Sequence, residues 1–166
     1  MMRDVLTTKS MKDSCIYKDS SEMWAIGSVD EANAIIGLAK IHSEGRTKEI
    51  LTYIQKMMFH LGAEISSGKK MINSRDVEFL LELIEEFKDQ VVLPRNFIIL
   101  EQNQTTAYLS IARAAVRRAE RWVVRLRKER KIGVDAVRWM NKLSYLLYIL
   151  ILYELKGNYE AVRFKG

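Results

Sequence analysis

Three arginines stand four residues apart within residues 112–121, in the middle of a long helical pattern. Arg113, Arg117 and Arg121 therefore form one slightly drifting stripe on a helix surface, and Glu120 lies on the same stripe. A different face of this helix carries the apolar residues Ala112, Val116, Ala119, Val123 and Leu126. Guanidinium groups on a rigid helix beside a core-facing surface suit an anionic ligand, because their fork of donors matches carboxylate and phosphate oxygens.

The same stripe allows two other interpretations. A solvated helix would use Glu–Arg pairs that stabilise it by only about 0.3 kcal/mol each. A nucleic-acid-binding helix is less favoured, because this one lacks interleaved exposed aromatics and Glu120 lies inside the basic patch. We therefore expect no nucleic-acid partner, and the pattern alone leaves the anion site and the solvated helix open.

The composition indicates one helical domain. The 166 residues suffice for a real core, and 1 Pro with 8 Gly favours long helices joined by short loops. The single Cys15 excludes an internal disulfide and fits a reducing cytoplasm. With only His42 and His60, a His-rich metal site is not expected. The most apolar run, Leu146 to Tyr153, is too short for the roughly 20 residues that span a bilayer, so we expect a cytoplasmic protein without a membrane partner.

Residues 1–22 are polar and have no helical period, so we interpret them as a flexible or ligand-ordered arm. Residues 23–166 form the single predicted domain, with Ser74 as the expected N-cap of its third helix. Apart from a hint near residues 97–100, alternation typical of strands is absent. The apolar periodicity predicts an all-α, up-and-down five-helix bundle with helices at about 23–42, 47–67, 75–90, 104–131 and 134–156.

Four further positions are candidates for close packing or ligand contact. Gly27 and Gly37 each cost about 1 kcal/mol of helix propensity against Ala, which indicates a close helix contact or a ligand nearby. Asn141 lies one turn before the apolar run, so as a polar group near a buried region it needs a partner. Phe97, in the longest connection, is expected in the core or in the wall of a pocket.

Five blocks occur in order along the chain: Gly-Ser-Val-Asp-Glu-Ala-Asn from Gly27, Ile-Gln-(x)3-Phe-(x)-Leu-Gly-Ala-Glu from Ile54, Phe-Ile-Ile from Phe97, Ala-Arg-(x)3-Arg-Arg-Ala-Glu-Arg from Ala112, and Met-Asn-Lys-Leu-Ser from Met140. As a set they are specific, although each alone would be weak. Over roughly residues 18–156 the chain resembles the ATP:cob(I)alamin adenosyltransferases of the trimeric, propanediol-utilisation type.

The resemblance implies a five-helix bundle with ferritin-like packing and a homotrimer whose active sites lie between adjacent subunits. It also implies transfer of the 5′-deoxyadenosyl group of ATP to the cobalt of a reduced corrinoid such as cobalamin, with release of triphosphate. Mg²⁺ would be bound through the ATP phosphates without dedicated protein ligands. A corrinoid reductase and an acceptor enzyme are the further partners that it implies.

The resemblance also implies roles for individual residues. Arg113 would pair across the subunit boundary with Asp30, and Phe97 would lie at the face of the corrinoid. The catalytic set would be Arg113, Arg117, Glu120 and Asp30. ATP would be bound by Lys18, Arg117, Arg118, Glu120, Arg121 and Asn141.

The chain departs from the family pattern near its N-terminus. A glycine-rich loop usually wraps the triphosphate there, but this chain has no glycine before Gly27. Thr8, Lys9 and Ser10 are the residues expected to replace it. Tyr145 stands where the family has an aspartate after the Asn-x-Leu-Ser block. These departures keep an alternative open, a non-catalytic trimeric relative that binds a corrinoid or a nucleotide as a carrier or regulator.

Overall fold

The computed structural model describes residues 5–12, 15–129 and 131–163. Five helices dominate them and confirm the all-α five-helix bundle: α1 Ser21–Ile41, α2 Gly45–Ser67, α3 Ser74–Lys88, α4 Gln104–Lys128 and α5 Val134–Leu155. Two small antiparallel sheets accompany the bundle. One pairs β1 (Thr7–Lys9) with β2 (Cys15–Tyr17), and the other pairs β3 (Ile98–Ile99) with β4 (Glu160–Ala161).

The start of α3 corrects the predicted N-cap. Asn73, not Ser74, is the cap: its side chain accepts from the backbone N–H of Arg75 at 2.9 Å. The carboxylate of Asp76 in turn accepts from the backbone N–H of Asn73 at 2.8 Å and completes a capping box. Both Asn and Ser are good N-caps, and the position of Asp76 three residues after Asn73 selects between them.

Helix α4 lies between α1 and α5, while α2 packs on α1 and α3 packs on α5. The predicted apolar face of α4 is buried throughout, which confirms the phase of the arginine stripe relative to the core. Within the apolar run of α5, all residues but Tyr148 and Tyr153 are buried. None of the helices in the described part of the chain combines the length and apolar character that a bilayer crossing requires.

The two glycines of α1 have different surroundings. A Cβ at Gly37 would lie 2.7 Å from Nε2 of Gln55, so the close contact predicted for Gly37 is confirmed. That amide also donates to the carbonyl of Asn33 at 3.2 Å and tightens the α1–α2 contact. A Cβ at Gly27 would meet no atom within 4 Å, so Gly27 makes no close helix contact within its own chain. Gly27 lies on an exposed face of α1, where a ligand or another subunit has room.

A buried carboxylate joins the loops at one end of the bundle. Glu64, which is 2% exposed, accepts from the backbone N–H groups of Met71 and Ile72, each at 2.8 Å. It also accepts from the N–H of Gly133 at 3.3 Å. Three N–H donors offset the cost of burying this charge. The sequence block that ends in Glu64 therefore has a structural role in holding the connections before α3 and α5.

The described part of the N-terminal segment is a β-hairpin docked on the bundle. The N–H of Met11 donates to Oγ of Ser66 at 3.2 Å, and Nζ of Lys12 lies 3.8 Å from Oε1 of Glu22. Strands of three residues are too short for alternation to predict, so the sequence indicated only an arm without helical period. That a ligand orders this arm remains a prediction.

Candidate functional site

A cavity of about 750 Å³ opens between α4, α5 and the segment before β3. It brings together four of the residues that the sequence singled out, namely Arg113 and Arg117 of α4, Asn141 of α5 and Phe97. The other lining residues are Arg95, Asn96, Ile98, Leu100, Lys142, Ser144, Tyr145 and Tyr148. Two arginines of the stripe, the long connection before α4 and Asn141 of α5 therefore face one space.

The charges around this cavity have one sign. Arg95, Arg113, Arg117 and Lys142 line it, and none of the carboxylates in the described parts of the chain does. Nε of Arg113 is buried without a hydrogen-bond partner in the described structure. Positive charges that converge on a half-open space, without acidic partners there, make a site for an anion. This geometry favours the anion-site interpretation of the stripe over the solvated helix.

Hydrogen bonds hold the polar groups at the edge of the cavity. Nδ2 of Asn141 donates to Oε1 of Glu120 at 3.0 Å, and Nη1 of Arg121 donates to the carbonyl of Arg117 at 3.1 Å. Arg117, Glu120 and Arg121 also line an adjoining cavity of about 280 Å³ together with Val124. Asn141 is exposed rather than buried, because it lies on the face of α5 that turns towards this stripe. The sequence predicted that Asn141 needs a polar partner, and in the structure that partner is Glu120.

Other predicted site residues lie elsewhere on the same chain. Arg118 forms an ion pair with Glu31 of α1, because successive helix positions point about 100° apart and Arg118 is turned away from Arg117. Lys18 lines a separate cavity of about 280 Å³ with Trp24 and Glu31. Within the described residues, neither cation reaches the large cavity.

Asp30 and the N-terminal candidates are also distant from the lining of that cavity. Asp30 is exposed on α1. Thr8 and Lys9 belong to β1, and Ser10 is buried just after it. One chain therefore contains two separate groups of predicted site residues, one around the large cavity and one on the side of α1 and the hairpin.

The aromatic wall of the large cavity was only partly predicted. Phe97 is 73% exposed, which decides for the pocket wall and against the core. Its carbonyl accepts from the N–H of Val162 at 2.7 Å, next to the β3–β4 pair that confirms the strand hint near residues 97–100. Tyr145 and Tyr148 stack with ring centroids 6.5 Å apart. Their spacing of four and seven residues from Asn141 was the available signal that they share its face.

Burial raises the pKa of the Tyr148 phenol, and the charge of Arg113 opposes that rise. Tyr148 is therefore a neutral phenol at physiological pH and can donate or accept a hydrogen bond beside the arginines.

Groups of metal-binding side chains are absent from the described structure. In residues 5–12, 15–129 and 131–163, no group of three or more His, Cys, Asp or Glu side chains could hold an ion. His42 instead packs against Tyr108, with ring centroids 4.6 Å apart and the two rings tilted by 33°.

Comparison with known proteins identifies relatives over nearly the whole chain. The sequence model of a family described as cobalamin adenosyltransferase matches residues 3–154. A corrinoid adenosyltransferase of Citrobacter freundii is 31% identical over 150 residues, which cover 86% of this chain and 85% of the relative. A corrinoid adenosyltransferase of Bacillus subtilis is 32% identical over 137 residues, which cover 76% and 70% respectively.

A solved structure shares the fold. It is a variant PduO-type ATP:corrinoid adenosyltransferase from Lactobacillus reuteri, complexed with cobalamin and ATP. The TM-score is 0.85 at 23% sequence identity, and the match covers 97% of this chain and 95% of the other. The bundle described above is therefore the fold of that enzyme.

Proposed function

The chain belongs to the cobalamin adenosyltransferase family, and we propose from this premise that it transfers the 5′-deoxyadenosyl group of ATP to the cobalt of a reduced corrinoid. The observation that carries the proposal is the cavity that joins Arg113, Arg117 and Asn141 to the exposed ring of Phe97. Its arginines suit a polyphosphate, and its aromatic side suits the flat, largely apolar face of a corrin ring.

The chemistry of the transfer explains why the site has cations and no obvious acid or base. The electron pair of Co(I) forms the new bond to C5′ of ATP, and the C5′–O bond breaks as triphosphate leaves with its pair. Co(I) is a strong nucleophile, so no proton needs to be removed from it. The protein has to align C5′ with cobalt and to stabilise the negative charge that grows on triphosphate.

The residues of the large cavity divide these tasks. Arg117 stabilises the leaving triphosphate, because its guanidinium group has no competing carboxylate among the described residues of the cavity lining. Arg113 stands beside it and would pair with Asp30 of a second copy. Asn141, oriented by Glu120, holds the nucleoside part of ATP. Arg121 extends the binding surface along α4. Mg²⁺ would be held by the ATP phosphates, because the cavity lining offers no carboxylate ligand.

Phe97 is the residue of the cavity that we assign to the corrinoid. A ring that is 73% exposed at the cavity wall can cover the lower face of the corrin and keep its base or water off cobalt. Four-coordinate Co(II) is easier to reduce than a state with an axial ligand, so this contact helps to form the nucleophile. The hydrogen bond from Val162 supports Phe97 by fixing its backbone.

The active unit that we propose is a homotrimer with sites between subunits. Support comes from the separation of the two residue groups in one chain. Nε of Arg113 lacks a partner in the described structure, while Asp30 is exposed on another side of the molecule. A second copy could bring Asp30 to Arg113 and could add Lys18, Arg118 and the hairpin residues Thr8, Lys9 and Ser10 to the triphosphate.

The reaction is placed in the cytoplasm, in line with the free thiol of Cys15. There a reductase would supply Co(I) and an acceptor enzyme would take the product. The alternative of a carrier without activity gains no support, because the cavity keeps both arginines, Asn141 and Phe97. The test is formation of a light-sensitive cobalt–carbon bond from ATP, Mg²⁺ and chemically reduced cobalamin.

A further inference from the structure

The large cavity has two cations that the transfer reaction leaves without a task. Arg95 lies two residues before Phe97, and Lys142 follows Asn141 on α5. In the described parts of the chain, neither forms an ion pair with a carboxylate. Arg95 is thus close in sequence to Phe97, which we assign to the corrinoid, and Lys142 is next to Asn141, which we assign to ATP. Each of the two adds a positive charge to a lining that already contains two arginines.

This excess of charge favours a bound anion, because an anion placed between like charges offsets their mutual repulsion. In the proposed function Arg117 is occupied by the triphosphate, and Arg113 is occupied by Asp30 of a second copy. The corrinoid brings a second anion when it carries the phosphate that links the corrin side chain to the lower base. Once Phe97 excludes that base from cobalt, this phosphate is free to contact cations of the cavity lining.

We propose that Arg95 and Lys142 bind the phosphate of the corrinoid's nucleotide loop, so that the cavity favours corrinoids that carry this phosphate over those that lack it. This inference rests on the proposed function and adds to it a basis for choosing between corrinoids. The triphosphate of ATP is the other source of phosphate oxygens in this cavity, so the experiment has to separate the two.

Equilibrium binding separates them without turnover. The full chain, saturated with ATP, is titrated with three Co(II) corrinoids: cobalamin, cobinamide phosphate, which has a phosphate but no lower base, and cobinamide, which has neither. We expect cobalamin and cobinamide phosphate to bind roughly three- to tenfold more tightly than cobinamide, since exposed charge pairs are individually weak. The preference should shrink as salt rises.

The double variant Arg95→Gln/Lys142→Gln should bind all three corrinoids with Kd values within about twofold of that for cobinamide. Its Kd for ATP should stay unchanged. The matched control is Lys56→Gln/Arg75→Gln, which removes the same two charges from exposed positions on α2 and α3. It should keep the full preference.

Equal binding of the three corrinoids by the wild type would overturn the inference. So would a double variant that retains the preference, or one whose Kd for ATP rises while the corrinoid ratios stay the same. The last result would assign both cations to the triphosphate. Failure of the proposed function would appear in the turnover assay, whereas failure of this inference appears in the binding ratios, so the two remain distinguishable.

Discussion

Nδ2 of Asn141 donates to Oε1 of Glu120 across 3.0 Å, and this contact ties α5 to the arginine face of α4. The bond uses the donor side of the amide and fixes its orientation. The side-chain oxygen Oδ1 of Asn141 is left as an acceptor for a hydroxyl or amino group of a ligand. This hydrogen bond explains why the exposed side chain of Asn141 has one defined orientation beside the cavity.

Replacing Asn141 by Ala should weaken ATP binding with little loss of stability. One hydrogen bond to the ligand is worth about 1 kcal/mol, so the KM for ATP should rise about five- to tenfold. Because the residue is exposed, the free energy of unfolding should change by less than about 0.5 kcal/mol. Steady-state kinetics and urea unfolding measure the two effects. A large loss of stability with unchanged KM would make Asn141 a structural residue.

Arg117→Ala removes one charge-assisted contact to the leaving group. Such a contact is worth about 1.5–3 kcal/mol, so kcat/KM for ATP should fall roughly ten- to a hundredfold. Arg75→Ala, at an exposed position of α3, is the control and should leave the kinetics unchanged. Unchanged kinetics for Arg117→Ala would remove that residue from the site.

Mixed oligomers test whether two copies share one site. Lys18→Ala and Arg117→Ala should each retain no more than about one tenth of the wild-type activity alone. If Lys18 comes from one subunit and Arg117 from the next, random mixing restores both residues at roughly one quarter of the sites. The activity of co-refolded mixtures should recover to that level.

The control pairs Arg117→Ala with Asn141→Ala. Both residues line the same cavity of one chain, so mixing these variants cannot rebuild an intact site. At ATP concentrations well below KM, the mixture should show only the average of the two variants' activities. Recovery in this control, or its absence in the Lys18 mixture, would contradict a site shared between subunits.

Much of the bundle could be predicted because its helices are long and periodic. The apolar face of α4 and the arginine stripe follow from spacing alone. The large cavity could not be predicted from spacing, because Phe97 reaches it from a connection whose geometry depends on β4, about 60 residues later. Strands of two residues have no pattern to detect.

The sequence alone did not indicate which neighbouring element each charged residue of α4 faces. Arg117 and Arg118 are adjacent in sequence, yet Arg117 lines the large cavity and Arg118 pairs with Glu31. Whether a residue of α4 faces the large cavity or faces α1 depends on the order in which the helices pack. The structural role of Glu64 was also hidden, since its three N–H donors come from two loops distant in sequence.

The pH dependence of stability should report the contact between the ends of α1 and α4. Hydrogen bonds from Lys131, Arg125 and Ser21 lower the pKa of Glu129 to about 2. A lowered carboxylate pKa stabilises the fold above the unfolded value of 4.5, and this stabilisation is lost as the pH falls towards 2. Urea unfolding of the wild type and of Glu129→Gln should therefore differ most above pH 4.5 and converge below it. A difference that does not change with pH would show that this carboxylate has no such role.

We propose that this chain joins the adenosyl group of ATP to a corrinoid. The direct measurement follows the spectrum of cobalamin reduced to Co(I) with the full chain, ATP and Mg²⁺, in the dark and then under light. We expect conversion to a species with a cobalt–carbon bond that light destroys, at a rate well above the sample without protein and much reduced by Arg117→Ala. Conversion no faster than in the sample without protein would rule out the proposed transfer.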